Sequence, residues 1–168
     1  MIVRIVSLAI IFNSISLLAF TQEKKISVYV FVAEECPISI YMASPLHDIA
    51  EQYGEQANFY LVFPVATSTE KTAGTFRSKY KLNKFKNRLD SDHTITRNYG
   101  ALVTPEVIVV NEENIVLYKG RINDAYHQPG KRKHMNSSND LELALEFATQ
   151  GKPVPQPWKK AVGCVITN

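Results

Sequence analysis

The feature that most constrains this chain is an apolar segment that runs into a cysteine. Residues 26–32 are nearly all apolar and rich in Val, Tyr and Phe, which favours a strand buried on both faces. After a short turn comes Cys36, and the apolar residues of 38–53 recur at spacings of three and four. That periodicity predicts a helix. The sequence therefore predicts that Cys36 lies where a helix begins.

A cysteine in this position has the surroundings of a reactive thiol. Unpaired backbone N–H groups and the positive end of the helix dipole favour the thiolate, which is the nucleophilic form. Pro37 directly follows Cys36, and proline is favoured at the first helical position. A buried structural thiol is the alternative interpretation. The strand-to-helix turn favours reactivity.

The first residues of the chain are typical of a secretory signal peptide. One basic residue, Arg4, precedes a short apolar run that polar residues interrupt. The run is short for an uncleaved anchor, so no stable membrane span is expected. We expect a signal peptide over residues 1–21, one domain over 22–168, and a periplasmic or secreted protein. In such compartments disulfides persist.

Composition excludes several classes of function. The formal net charge is +3, and no face or segment concentrates enough basic residues to predict a nucleic-acid partner. The four histidines form no closely spaced pair, so we expect neither a metal site nor a cofactor. Two cysteines, Cys36 and Cys164, remain after the signal peptide.

The order of predicted elements indicates an α/β fold. A strand, a helix and a second strand form a right-handed parallel unit, and a later hairpin and closing helix complete a mixed central sheet. A basic segment after the second strand is interpreted as a solvated face. The remaining predictions are a strand at 58–65, helices at 72–82 and after Asp90-Ser91-Asp92, hairpin strands at 107–110 and 115–118, a helix at 141–150, and an extended tail packed through Trp158 and Val162.

This order resembles the thioredoxin fold, with Cys36 at the first strand-to-helix turn and Thr104-Pro105 before the third strand. More specifically, the chain resembles exported redoxin-domain proteins of the alkyl hydroperoxide reductase/thiol-specific antioxidant (peroxiredoxin-like) superfamily. The resemblance implies a mixed sheet flanked by helices, a cis-Pro105 facing the thiol, and an antioxidant or oxidoreductase activity. The segments that carry it are ECPIS (35–39), VTPEV (103–107), YKGRIND (118–124) and AVGC (161–164).

Three features depart from the patterns of the related families. Thioredoxins have a second cysteine where this chain has Ser39, so no local disulfide can form. Peroxiredoxins have Thr or Ser where this chain has Ala33. Glu34 and Glu35 place negative charge beside the thiol, which opposes the effect of the helix terminus. A fast peroxidase and a self-contained dithiol oxidoreductase are both disfavoured.

The chemistry then depends on Cys164. Attack by Cys36 on a disulfide yields a mixed disulfide, and attack on a peroxide yields a sulfenic acid. Three interpretations of Cys164 are open: it resolves that intermediate, it forms a permanent disulfide with Cys36, or it stays unpaired. A permanent bond would close a long loop and add roughly 4–5 kcal/mol in the chain-entropy model.

Other candidate site residues follow from their neighbours. Ser39 can donate a hydrogen bond to the thiolate, and Thr104 and Pro105 adjoin the site if the fold is correct. Arg121 either steadies an anion or pairs with Asp124, and the ion pair is favoured.

The leading functional hypothesis is an exported thiol-disulfide oxidoreductase of redoxin type, with Cys36 as nucleophile and Cys164 as a candidate resolving cysteine. Its partners would be thiol or disulfide proteins or small peroxides. The alternative is a thioredoxin-fold metal- or haem-assembly binding protein without redox turnover, since thiolate and imidazole suit Cu(I). A catalytically inactive scaffold is a third hypothesis.

Overall fold

The computed structural model describes residues 26–134 and 138–167, so the predicted signal peptide lies outside the described residues. No helix in these two ranges is long and apolar enough to cross a membrane. The elements in chain order are β1 (Ile26–Phe31), α1 (Pro37–Tyr53), β2 (Ala57–Phe63), α2 (Glu70–Lys79), β3 (Phe85–Leu89), α3 (Thr94–Tyr99), β4 (Val103–Thr104), β5 (Glu106–Asn111), β6 (Val116–Gly120), β7 (Tyr126–Gln128), β8 (Lys131–Arg132), α4 (Asp140–Thr149) and β9 (Cys164–Val165).

The main sheet is mixed, as predicted. Its strand order is β3-β2-β1-β5-β6. β1 is parallel to β2, β2 is parallel to β3, and β5 is antiparallel to both β1 and β6. β1 therefore lies in the middle of the sheet, and its carboxyl end delivers the chain to Cys36.

Helices cover both faces of the sheet. Val28 and Val30 of β1 pack with buried residues of α1, α2 and α4 in the larger core cluster. Phe31 and Ile108 face the other side, where the segment containing α3 covers them. The apolar run of β1 is explained by this double burial, since a strand with two covered faces has no polar side.

The predicted α1 is confirmed and runs unbroken through Pro45. The basic segment after β2 contains a strand that the sequence analysis missed. In β3 only Phe85 is buried, whereas Lys86 and Arg88 are exposed. Charged side chains are typical of an edge strand, which they protect from pairing with other chains. The segment after β6 contains the small β7–β8 hairpin.

The tail packs on the domain, as predicted from its apolar residues. Val154, Trp158 and Val162 lie against the larger core cluster. Near its end, Cys164 and Val165 form β9, which pairs antiparallel with β4. This pairing brings the end of the tail to the edge of the domain where β1 ends.

The predicted helix start near residue 90 is confirmed, and Asp90 provides a test of the fold. The carboxylate is 2% exposed and accepts hydrogen bonds from the Ile95 N–H and the Thr96 N–H, each at 2.8 Å. It also accepts one from the Thr96 hydroxyl at 2.6 Å. Asp90→Ala should lower the free energy of unfolding by about 2–3 kcal/mol, because buried donors lose a charged acceptor. Denaturant titration measures the loss.

Asp92→Ala is the matched control. The Asp92 carboxylate is exposed and accepts from the backbone N–H and the hydroxyl of Thr94. These hydrogen bonds hold the pKa of Asp92 below its usual value. Asp92→Ala should lower the free energy of unfolding by clearly less than Asp90→Ala does. Equal effects of the two substitutions would contradict the role given to Asp90.

Candidate functional site

Cys36 lies at the N-terminus of α1, as the sequence predicts. Its backbone is extended (φ −74°, ψ 115°), and Pro37 is the first helical residue. The Cys36 carbonyl accepts the first helical hydrogen bond, from the Ile40 N–H at 3.0 Å. The preceding helical N–H groups have no partner within the helix, so they and the helix dipole face the cysteine. The side chain is 3% exposed.

Cys164 lies in β9 and is joined to Cys36 by a disulfide. The two Cα atoms are 6.3 Å apart although 128 residues separate them in sequence. The interpretation that Cys164 stays unpaired is therefore wrong. A resolving role for Cys164 and a permanent disulfide both require that Cys36 and Cys164 can bond to each other. Unlike Cys36, Cys164 is exposed.

The Thr104-Pro105 peptide is cis, as the resemblance implies. The carbonyl oxygen of Thr104 lies 3.1 Å from the Cys36 sulfur. In the reduced protein the Cys36 thiol can donate to this oxygen, which favours the thiol over the thiolate. The helix terminus and the Thr104 carbonyl thus act on Cys36 in opposite directions.

The tail passes close to the backbone at two glycines. A Cβ at Gly163 would overlap the Thr104 carbonyl, and a Cβ at Gly120 would overlap the Lys159 carbonyl. Lys159 accepts from the Arg121 N–H at 3.1 Å, and the Ile166 N–H donates to Leu102 at 3.0 Å. These contacts hold residues 159–166 as a strap across the edge of the domain, with Cys164 above Cys36.

Arg121 contributes to this arrangement through a different ion pair from the one predicted. Its guanidinium pairs with Asp140, with Nε 2.8 Å from Oδ2 and Nη2 3.2 Å from Oδ1. Asp124 instead pairs with Lys133. The prediction of a salt bridge was correct, and the predicted partner was wrong. Arg121 connects the end of β6 to the start of α4 and, through its N–H, to the strap.

The turn before Cys36 is held by two polar side chains. The buried Ser39 hydroxyl accepts from the Ala33 N–H at 3.3 Å, so the hydrogen bond that the structure gives Ser39 shapes the turn. Glu34 accepts from the hydroxyls of Ser68 and Thr72, each at 2.8 Å. These bonds connect the turn to the loop after β2. The predicted donation from Ser39 to a Cys36 thiolate stays a prediction.

A cleft of about 490 Å³ opens beside the disulfide. One wall is the loop after β2, the other is the strap, and the disulfide lies between them. Apolar and small polar residues dominate, and Glu35 is the one charged side chain that lines it among the residues the structure describes. The lining residues are Ala33, Glu35, Cys36, Pro64, Val65, Ala66, Thr67, Thr104, Cys164, Val165, Ile166 and Thr167.

The wall formed by residues 64–67 was not predicted from the sequence. The signal was available, because β1 and β2 are parallel and their carboxyl ends must meet at one edge of the sheet. The loop after β2 therefore had to lie beside Cys36. In the sequence, Gly163 stands out only as part of the AVGC segment (161–164). Its close contact with Thr104 follows from the path of the strap, which the sequence alone does not give.

No protein-family model matches the chain, and no curated protein matches its sequence. Solved structures resemble it at low sequence identity. An uncharacterized conserved protein from Geobacillus kaustophilus superposes with a TM-score of 0.75 at 18% identity, covering 86% of this chain and 78% of that chain. A hypothetical protein from Sinorhizobium meliloti 1021 also has a TM-score of 0.75, at 22% identity, covering 89% and 82%.

A third similar structure is named as a thiol:disulfide interchange protein, DsbE, from Chlorobium tepidum. Its TM-score is 0.53 at 16% identity, covering 76% of this chain and 79% of that chain. At these identities the similarity concerns the fold alone. The fold is thioredoxin-like, with the mixed sheet, the cysteine at the start of α1 and the cis-proline before β5 in their expected places.

Gly163→Ala tests whether the strap depends on close backbone contact. Because the added methyl group would overlap the Thr104 carbonyl, β9 should move away from β4 and the Cys36–Cys164 disulfide should form less readily. In a dithiothreitol redox buffer we expect its equilibrium constant to fall by a factor of roughly five to a hundred, for a packing cost of about 1–3 kcal/mol.

Gly74→Ala is the control, since a Cβ at Gly74 meets nothing within 4 Å and the residue lies in α2. It should leave the disulfide equilibrium unchanged and stabilise the helix by about 0.5–1 kcal/mol. An unchanged disulfide equilibrium in Gly163→Ala would contradict the strap geometry.

Proposed function

We propose that this protein is an exported thiol-disulfide oxidoreductase of redoxin type, with Cys36 as the nucleophile and Cys164 as the resolving cysteine. The observation that carries the proposal is the disulfide between a cysteine at a helix start and an exposed cysteine on a strap. Pro37, Ser39, Thr104 and Pro105 shape the surroundings of the nucleophile. The peroxiredoxin-like superfamily, the signal peptide over residues 1–21 and the periplasmic or secreted location are part of the same proposal.

The proposed reaction begins with the reduced protein. The Cys36 thiolate attacks one sulfur of a substrate disulfide, forms a mixed disulfide and expels the other substrate sulfur as a thiolate. The Cys164 thiolate then attacks the Cys36 sulfur, forms the internal disulfide and expels the second substrate thiolate. The substrate gains two electrons and the protein loses two. An external thiol must reduce the internal disulfide to complete the cycle.

The site favours disulfides over peroxides as oxidants. Ala33 has no hydroxyl to orient a peroxide, and the N–H of Ala33 is hydrogen-bonded to Ser39. The strap provides the resolving thiol that a mixed disulfide requires. Its strand β9 is an extended segment that pairs with β4. Small peroxides are therefore secondary substrates in this proposal.

Metal binding without redox turnover gains no support from the described residues. In ranges 26–134 and 138–167, no three His, Cys, Asp or Glu side chains converge in a way that would hold a metal ion. The sulfur atoms of Cys36 and Cys164 are bonded to each other.

Cysteine variants test which thiol attacks the substrate and which thiol resolves the mixed disulfide. Reduced wild-type protein mixed with the neutral disulfide 4,4′-dithiodipyridine should release about two thiopyridone equivalents per chain and end with the internal disulfide. Cys164→Ser should release about one and stay as a stable Cys36 adduct. Absorbance follows the release, and intact mass identifies the products.

Cys36→Ser is the complementary variant. Its remaining thiol, Cys164, should react as an exposed thiol and keep its adduct, because no second thiol is present to displace it. Stable adducts on both cysteines of the wild-type protein, without an internal disulfide, would rule out Cys164 as the resolving cysteine.

A further inference from the structure

We propose that the thiol that reopens the internal disulfide attacks the Cys164 sulfur from the cleft, and that Glu35 restricts this thiol to uncharged or cationic molecules. The inference rests on the proposed function, whose cycle needs an external reductant. It assigns the site of attack and a residue that determines specificity.

The two sulfurs differ in access. Cys36 is 3% exposed and lies beneath the strap, whereas Cys164 is exposed on it. The rate of thiol-disulfide exchange depends on which sulfur can be reached and on which thiolate leaves. Attack on Cys164 expels the Cys36 thiolate at the start of α1, where the helix dipole favours negative charge and the Thr104 carbonyl opposes it. The difference in access is therefore what selects the Cys164 sulfur.

The proposed exchange balances in two steps. The external thiolate forms a bond to the Cys164 sulfur while the Cys36–Cys164 bond breaks, and its electron pair stays on Cys36. A second external thiolate, or the second thiol of a dithiol, attacks the external sulfur of this mixed disulfide and expels the Cys164 thiolate. Two external thiols are oxidised to a disulfide, and the protein gains two electrons.

Charge in the cleft limits which thiols can approach. Glu35 is exposed and, within residues 26–134 and 138–167, is the one charged side chain that lines the cleft. The neighbouring Glu34 is engaged by Ser68 and Thr72 and does not line it. An anionic reductant must bring its charge close to the Glu35 carboxylate between largely apolar walls. At low ionic strength this repulsion should slow it on the order of fivefold relative to a neutral thiol.

Three small thiols of different charge test the inference. The oxidised protein is reduced with cysteamine, 2-mercaptoethanol or 3-mercaptopropionate at low salt. Each rate is expressed per thiolate and divided by the rate of the same thiol with a neutral model disulfide. We expect cysteamine to exceed 3-mercaptopropionate by about tenfold or more, and added salt to reduce this ratio. Glu35→Gln should bring the ratio close to one.

Glu113→Gln is the matched control, because Glu113 is also exposed but does not line the cleft. Glu113 lies in the turn between β5 and β6, and Pro105 adjoins the other end of β5. It should leave the ratio unchanged. Acid quenching early in the cysteamine reaction, followed by alkylation and peptide mapping, should locate cysteamine on Cys164 and the alkyl label on Cys36. An adduct on Cys36, or equal corrected rates for the three thiols in wild type and Glu35→Gln, would overturn the inference.

These outcomes are distinct from a failure of the proposed function. A disulfide that none of the three thiols opens would refute the oxidoreductase itself. A disulfide that opens readily but without charge selectivity would leave the oxidoreductase intact and refute only the role of Glu35.

Discussion

The site depends on the contact between the strap and the segment that contains β4 and the cis Thr104-Pro105 peptide. β9 pairs with β4 over two residues, and the absence of a side chain at Gly163 lets the backbones meet. This pairing places Cys164 over the start of α1, across 128 residues of sequence. Without the strap, Cys36 would be a lone thiol at a helix terminus and could not complete a disulfide cycle within one chain.

The surroundings of Cys36 balance opposing effects on its charge. The start of α1 favours the thiolate, whereas the Thr104 carbonyl 3.1 Å away and the carboxylates of the preceding turn disfavour it. In the proposed oxidoreductase, these opposed influences would make Cys36 a moderate nucleophile and a moderate leaving group. Both properties suit reversible exchange with other thiols better than rapid reaction with peroxide.

Local patterns in the sequence predicted the parts of the site that depend on local interactions. The start of α1 at Cys36 follows from helical periodicity, and the place of Pro105 before β5 follows from motif resemblance. β3 was missed because one buried residue, Phe85, produces no alternating pattern. The pairing of Cys36 with Cys164 could not be decided, because it depends on the path of the tail. That path is set by tertiary contacts at Gly120 and Gly163.

The central claim is that the Cys36–Cys164 disulfide turns over, and its equilibrium with a thiol buffer tests this most directly. The natively folded protein would be equilibrated in graded glutathione and dithiothreitol buffers, acid-quenched, alkylated and weighed by intact mass. A redox-active pair should show one two-electron transition at a potential above about −300 mV. A pair that stays oxidised in the folded protein at lower potentials would be a structural disulfide. That result would contradict the account.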